Sequence, residues 1–169
     1  MAAGQTLDET KEATFEAAIG PHLTTGYRLA LAMLRDPVAA EDAVQEAAIK
    51  SWRNLSQLRT GAPARPWFLA IVANECRTAR RRPWWRVVRL AQPPQSVRSS
   101  EMESVERSDI ERALSSLGRD DRALLFMHFY LDLPLVESAQ ALGITPAAAK
   151  GRLYRACHRL RPGLELEEG

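Results

Sequence analysis

Apolar side chains recur at helical spacing along almost the whole chain of 169 residues, and strand-like alternation is almost absent. This spacing of three or four residues places such side chains on one face of a helix. The first run consists of Phe15, Ile19, Leu23, Tyr27, Ala30 and Leu34. Gly20 and Pro21 interrupt the run, so we predict a kink or a split there. The pattern as a whole predicts an all-α fold.

Proline and polar residues predict where the next helices begin and end. Asp36 can cap a second helix with Pro37 in its first turn, and this helix should run to about Asn54. A polar, helix-breaking stretch at 56–66 should separate it from a third helix at 67–82. We expect the second helix to bury Val44, Ala48, Trp52 and Leu55, and the third to bury Phe68, Val72 and Cys76.

The segment 83–108 differs from its surroundings, because it contains three prolines and several serines and has no clear periodicity. Its first half is basic and its second half is acidic. This composition is typical of a flexible linker, so we predict two small helical domains at 10–82 and 109–163. Trp84 and Trp85 fall in this linker, where they could pack on a domain surface or enter a partner's groove.

Four short helical patterns fill the second domain, at 110–117, 120–131, 135–142 and from Thr145 onward. Ala139 lies four residues before Gly143, and small residues there permit the close, tight turn of a helix-turn-helix. The second helix of this motif would expose Lys150, Arg152, Tyr154, Arg155 and Arg159. Such a face suits DNA phosphates or guanine edges, although a helical hairpin with a solvated basic face has the same pattern.

Composition argues against several classes of protein. The formal net charge is only +2, and the two cysteines, Cys76 and Cys157, are far apart and lack zinc-ligand spacing. The three histidines are scattered, so we expect no enzyme activity, metal or cofactor. The N-terminus lacks the pattern of a secretory signal, and no stretch approaches the roughly 20 apolar residues of a membrane span. We therefore expect a cytoplasmic protein without membrane insertion.

Two further clusters have both a functional and an ordinary interpretation. Asp42, Gln45 and Glu46 form a polar helix face, and spacing alone favours a simple solvated surface. Asn74 and the basic run from Arg77 could contact phosphates, but positive charge at a helix C-terminus also stabilises the helix by itself.

In order and spacing, several blocks resemble the extracytoplasmic-function (group IV) sigma factors of the sigma-70 family. The matching blocks are Tyr27-Arg-Leu-Ala-Leu, Asp36-Pro37, Glu41-Asp-Ala-Val-Gln-Glu-Ala, Trp52-Arg-Asn-Leu, Arg65-Pro-Trp-Phe-Leu-Ala-Ile-Val-Ala-Asn, Arg80-Arg-Arg and the helix-turn-helix through Arg155-Ala156. The resemblance implies a factor that binds core RNA polymerase and directs promoter-specific initiation. It also implies control by an anti-sigma factor.

Within this resemblance, three groups of residues receive expected roles. The resemblance implies that docking on the clamp helices of the largest polymerase subunit involves Asp42, Val44, Gln45 and Glu46. Reading of the melted −10 element falls to Leu58, Arg59, Gly61, Ala62, Ile71, Asn74, Arg77 and Arg81. Reading of the duplex −35 element falls to Lys150, Gly151, Arg152, Tyr154, Arg155 and Arg159, with Arg152 the expected phosphate contact.

The chain also departs from the family pattern, and other functions remain open. Ala148, Ala149, Gly151 and Cys157 stand where Thr, Val, Ser and Arg are usual, and Ser138 replaces an isoleucine. These changes affect the expected upstream sequence preference rather than the fold. A stand-alone regulator that uses only the helix-turn-helix, or a helical adaptor that binds only protein, would share much of the pattern.

Overall fold

The computed structural model describes residues 2–59, 61–79 and 112–164, and the side chains of 9–59, 61–79 and 112–160. Within these ranges the chain forms helices and no strands, which confirms the predicted all-α class. The predicted linker, Trp84, Trp85 and the run from Arg80 to Arg82 lie outside the described residues.

The described part of the N-terminal bundle consists of four α-helices. They are α1 (Ala2–Ile19), α2 (Leu23–Leu34), α3 (Pro37–Arg53) and α4 (Ala64–Ala79), with short 3-10 helices at Gly20–His22 and Leu55–Gln57. The 3-10 turn at Gly20–His22 confirms the predicted break between α1 and α2. The side chain of Asp36 accepts hydrogen bonds from the amides of Val38 (3.0 Å) and Ala39 (3.1 Å), which confirms the predicted cap.

The predicted buried face of α3 was largely wrong. Leu55, just beyond the helix, is buried, but Val44, Ala48 and Trp52 are only partly buried. The face that packs inward consists of Ala39, Ala40, Ala43, Ala47 and Ser51. Small residues let α3 lie close to α2 and α4. The larger side chains lie at the rim, where the Trp52 ring meets Phe15 edge-on at a centroid distance of 5.4 Å.

Helix α4 buries the predicted row, since Phe68, Val72 and Cys76 are each 0% exposed. The helix begins at Ala64, three residues earlier than predicted, because Pro66 is tolerated in a first turn. Burial raises the pKa of the Cys76 thiol to about 12, so this thiol stays protonated and unreactive at neutral pH.

The C-terminal bundle contains helical residues 112–116, then α5 (Arg119–Leu125), α6 (Leu135–Leu142) and α7 (Pro146–Leu164). The predicted helix at 120–131 is α-helical only as far as Leu125 and continues as a π-helix at Phe126–Tyr130. Gly143 has a φ of 66°, and Thr145 accepts a 3.2 Å hydrogen bond from the amide of Ala148. The turn and the cap of the predicted helix-turn-helix are thereby confirmed.

The two bundles pack against each other, a relation that the sequence did not predict. Helices α2 and α4 contact α5 and α6, and buried side chains from both bundles form one continuous hydrophobic cluster. Arg122 on α5 reaches into the N-terminal bundle, where it donates to the carbonyls of Ala32 (2.9 Å) and Met33 (2.7 Å). The predicted DNA-contacting helix α7 packs on α5 and α6, which in turn contact the N-terminal bundle.

Ser138 on α6 is fully buried, and its hydroxyl has no hydrogen-bond partner within the described part of the chain. We expect Ser138→Ala to raise the free energy of unfolding by about 1 kcal/mol, because it removes an unsatisfied buried polar group. Urea denaturation of the full chain measures this difference.

Ser51 provides the matched control, because it is equally buried but donates a 2.7 Å hydrogen bond to the Ala47 carbonyl. Ser51→Ala should leave stability unchanged or lower it by up to about 1 kcal/mol. Equal effects of the two substitutions would show that the Ser138 hydroxyl is satisfied in solution.

Candidate nucleic-acid interface

Helix α7 carries an exposed basic face on a buried apolar support. Ala149 (0% exposed) and Ala156 (2%) anchor the helix on the bundle. The predicted upstream-reading side chains lie on the outside, with Tyr154 72% exposed and Lys150, Arg155 and Arg159 also exposed. No aspartate or glutamate occurs within Pro146–Leu164. The face is therefore positively charged along its length and suits phosphate or guanine oxygens.

Gly151 and Arg152, also predicted to read the upstream element, are less exposed than their neighbours on α7. A Cβ added at Gly151 would meet Arg155 Nη1 at 3.4 Å, so the Arg155 side chain lies back over the glycine. Arg152 is 37% exposed and lies 3.5 Å from Asp120 Oδ2. The structure thus groups the predicted upstream residues on one helix but leaves Arg152 engaged by a carboxylate.

An open cleft of about 580 Å³ runs between α7, the start of α5 and the end of α4. Its lining is Arg77, Gly118, Arg119, Asp120, Asp121, Arg152, Arg155 and Arg159. Five guanidinium groups and two carboxylates give the cleft a positive balance, which favours anionic ligands.

The predicted strand-reading residues lie in the loop after α3 and on α4. Gly61 has a φ of 81°, a left-handed conformation that favours glycine, and the Ala62 amide donates to the Arg59 carbonyl at 2.9 Å. Arg59, Gly61, Ala62 and Asn74 are exposed, whereas Leu58 and Ile71 are half-buried. The loop and the exposed side of α4 thus offer accessible groups to a single strand.

Arg77 differs from the other members of this set, because its guanidinium is occupied. Its Nε lies 2.9 Å from Asp120 Oδ1, and its Nη2 donates to the Leu142 carbonyl at 2.9 Å. Both partners belong to the C-terminal bundle. Arg81 lies outside the described residues.

Helix α3 presents the predicted docking residues on its outer side. Gln45 is exposed, and Asp42, Val44 and Glu46 are half-buried. Two exposed apolar residues that the sequence prediction omitted, Val38 (49%) and Ile49 (45%), lie near them. Positions 38, 42, 45 and 49 follow helical spacing, so Val38 and Ile49 lie at the two ends of the row that contains Asp42 and Gln45.

The C-terminal bundle exposes three large apolar side chains that the sequence analysis also missed, Phe129 (61%), Tyr130 (57%) and Val136 (61%). Among the described residues, no cluster of three or more His, Cys, Asp or Glu side chains could bind a metal ion. None of the helices described is sufficiently long and apolar to span a membrane.

Two known sequence families match the segments of the chain that contain these surfaces. The family model described as Sigma-70 region 2 matches residues 19–86, and that described as Sigma-70, region 4 matches residues 107–160. The chain is 30% identical over 162 residues to the ECF RNA polymerase sigma factor SigL of Mycobacterium tuberculosis, covering 92% of this chain and 90% of the relative. This chain belongs to the extracytoplasmic-function group of the sigma-70 family.

Other relatives agree with this assignment. The RNA polymerase sigma factor SigV of Bacillus subtilis is 26% identical over 171 residues, covering 95% of this sigma factor and 96% of SigV. The sigma factor RpoE of Bartonella quintana, solved with the anti-sigma factor NepR, shares the fold with a TM-score of 0.70 at 21% identity. That match covers 91% of this chain and 98% of RpoE. CnrH, solved with the cytosolic domain of CnrY, has a TM-score of 0.66 at 21% identity, over 91% of this chain and 89% of CnrH.

The two matched regions include all three candidate surfaces of this sigma factor. The region 2 match includes α3, the following loop and α4, and the region 4 match includes α5, α6 and α7 as far as residue 160. The residue-level roles within these regions remain predictions.

Proposed function

We propose that this sigma factor binds core RNA polymerase, reads the −35 element as duplex DNA and captures the melted −10 element as a single strand. The exposed basic face of α7 in a helix-turn-helix carries this proposal, together with a second accessible surface on the loop and α4. Two readers in one chain raise the effective concentration of each at the promoter without further contacts.

Upstream reading is assigned to α7. Lys150 and Arg155 are exposed and form no ion pair within the described residues, so both are available to bases or phosphates. Tyr154 adds a large exposed ring between them. A recognition helix that enters the major groove uses donors of this kind to bind the guanine edge.

Downstream reading is assigned to the loop at 58–62 and to Ile71 and Asn74 on α4. An unpaired base costs a few kcal/mol to unstack, so the surface that receives it must recover this cost through contacts. The half-buried Leu58 and Ile71 offer apolar contact, and the exposed Asn74 amide can bond a base edge. The melted state is favoured because these contacts exist only with a separated strand.

Polymerase docking is assigned to α3, where Asp42 and Gln45 lie between the exposed Val38 and Ile49. We expect Asp42→Lys to weaken binding to core polymerase about tenfold or more. Reversing a charge in an interface costs several kcal/mol, and each 1.4 kcal/mol is tenfold in affinity.

Fluorescence anisotropy with labelled full-length factor measures this affinity. Glu12→Lys on α1 makes the same change of charge at another exposed position and should alter the affinity by less than twofold. Equal losses in both variants would reject α3 as the docking helix in favour of a general charge effect.

An anti-sigma factor is also part of the proposal, since RpoE and CnrH were each solved bound to a second protein. The exposed Phe129, Tyr130 and Val136 provide apolar surface for a protein partner. Because the proposed target is bacterial RNA polymerase, we place the activity in the cytoplasm.

Run-off transcription with purified core polymerase on genomic fragments tests the proposal as a whole. The expected result is initiation at discrete sites that requires both the factor and the core enzyme. A gel shift on the same fragments, with and without core polymerase, separates the alternatives. Tight operator binding by the factor alone would indicate a stand-alone regulator, and no salt-dependent DNA affinity would indicate a protein-binding adaptor.

A further inference from the structure

The end of α3, just before the loop at 58–62, is bonded to the middle of α4. Lys50 Nζ, in the last turn of α3, lies 2.6 Å from Glu75 Oε1 on α4. Glu75 is 3% exposed and is the only charged side chain among the buried residues that the structure describes. It directly follows Asn74, which we propose bonds the unpaired base. The ion pair therefore joins the end of α3 to the part of α4 that carries a proposed base contact.

Further hydrogen bonds extend from Lys50 toward the loop. The Lys50 carbonyl accepts from the backbone amide and from the side-chain Nδ2 of Asn54, each at 2.9 Å. Asn54 Oδ1 in turn accepts from Gln57 Nε2 at 3.1 Å. Gln57 immediately precedes Leu58, the first residue of the loop. A continuous series of bonded residues thus runs from Glu75 on α4 to the point where the loop begins.

Stability alone does not account for a buried carboxylate at this position. Removal of a carboxylate from water costs free energy that attraction to a single partner often fails to return. Two apolar side chains of similar volume would stabilise the contact between α3 and α4 at least as well. Apolar contact is non-directional, however, whereas a hydrogen bond fixes the distance and the angle between its atoms. The ion pair therefore fixes the end of α3 against α4 more closely than packing alone would.

We propose that Lys50, Asn54 and Glu75 are positioning residues, which hold the loop at 58–62 in a fixed relation to Asn74 before DNA binds. The inference rests on the proposed capture of the melted −10 strand and adds residues that act on it through the loop. A base that meets both Leu58 and Asn74 needs the loop and α4 in register. A surface that is already ordered in its binding conformation loses less conformational entropy when the strand binds.

The test replaces the ion pair by an apolar pair, in the double variant Lys50→Met with Glu75→Met. One charge of each sign is removed, so the net charge of the factor and its long-range attraction to DNA are unchanged. The urea midpoint should equal or exceed that of the wild type. The probe is a single-stranded oligonucleotide with the −10 sequence of a promoter mapped by run-off transcription. Holoenzyme assembled at saturating factor should bind it about three- to tenfold more weakly.

Asn54→Ala is a second variant, which leaves both charges in place. It removes the side-chain hydrogen bonds to the Lys50 carbonyl and to Gln57, and it should weaken binding of the same oligonucleotide about two- to fivefold. Ser56→Ala is the matched control, because it truncates an exposed side chain in the 3-10 helix that follows Asn54. This control should bind the oligonucleotide as the wild type does.

Direct contact between Lys50 and a phosphate is the competing explanation, because the Lys50 side chain is 43% exposed. Loss of such a contact would lower the salt slope of strand binding by about 0.7 in the double variant. A positioning role predicts an unchanged slope in the double variant and in Asn54→Ala. A lowered slope in the double variant, together with wild-type binding by Asn54→Ala, would overturn the positioning role.

Hydrogen exchange in the full-length factor alone measures the order of the loop without DNA or polymerase. The amides of Leu58 and Ala62 donate to the carbonyls of Leu55 and Arg59. Both amides should exchange several-fold faster in the double variant and in Asn54→Ala, because local opening of the loop becomes more frequent. The amide of Phe68, in the buried core of α4, should exchange as in the wild type.

The exchange and binding measurements keep this inference distinct from the proposed function. Unchanged exchange at Leu58 and Ala62 in both variants would overturn the positioning role, whatever the transcription assay shows. Faster exchange with unchanged strand affinity would overturn it as well, since the order of the loop would not affect capture. Faster exchange in a factor whose wild type supports no polymerase-dependent initiation would support the anchoring of the loop and reject the sigma-factor roles instead.

Discussion

Replacing Gly26 by alanine is expected to lower the free energy of unfolding by about 1–3 kcal/mol. Gly26 is buried in the middle of α2, and a Cβ placed there would lie 2.7 Å from Phe68 Cε1 and 3.3 Å from Val72 Cγ2. Phe68 and Val72 are each 0% exposed, so neither can move aside without disturbing the core. The glycine therefore allows α2 and α4 to approach closely.

The sign of this effect separates packing from helix propensity. In an unconstrained helix interior, alanine is more stable than glycine by about 1 kcal/mol, so propensity alone predicts the opposite result. Gly151→Ala on α7 is the matched control, because its nearest neighbour is the flexible end of Arg155 at 3.4 Å. That substitution should raise the free energy of unfolding by about 0.5–1 kcal/mol.

Urea denaturation of both variants measures the difference. Phe68→Leu supplies a further check, since a smaller side chain relieves the contact with the added methyl group. The double variant Gly26→Ala with Phe68→Leu should be more stable than the sum of the two single effects predicts. Equal stabilisation by alanine at both glycines, or strict additivity with Phe68→Leu, would show that the helices are not in close contact at this point.

Only some parts of the fold could be predicted from the sequence. Signals that depend on a few neighbouring residues were reliable: the Asp36 cap, the break at Gly20 and Pro21, and the bounds of α6 were confirmed. The buried face of α3 was not, because the prediction followed the larger apolar residues. Close helix packing instead selected Ala40, Ala43 and Ala47, and a helix of many alanines has no single apolar stripe.

The candidate site, like the fold, could be predicted from the sequence only in part. The basic face of α7 could be predicted, because its spacing and its lack of acidic residues are local properties. The pairing of Arg77 with Asp120 joins residues from both sides of the predicted linker, and no local pattern specifies it. Sequence reasoning therefore named Arg77 and Arg152 as candidate DNA contacts but did not identify the carboxylate that lies beside both of them.

The second large effect is expected at the exposed basic face of α7, which we propose reads the upstream element. Lys150→Ala and Arg155→Ala should each weaken binding to the upstream element by about 1–3 kcal/mol, provided that the side chain contacts a base edge. This corresponds to roughly 5- to 150-fold in affinity. Both side chains are exposed and form no ion pair within the described residues, so stability should be nearly unchanged. The double variant should approach the sum of the two effects if the side chains bind separate groups.

Competition gel shifts with polymerase holoenzyme, on promoters altered one base pair at a time, distinguish the two kinds of contact. Loss of a base contact relaxes specificity at one position, whereas loss of a phosphate contact weakens all sequences alike and lowers the salt slope by about one. Lys11→Ala on α1 removes the same charge far from α7 in sequence and should change affinity by less than twofold. If Lys150→Ala and Arg155→Ala do no more than Lys11→Ala, the exposed basic face of α7 is a solvated surface, because a contacting donor cannot be removed without loss of affinity.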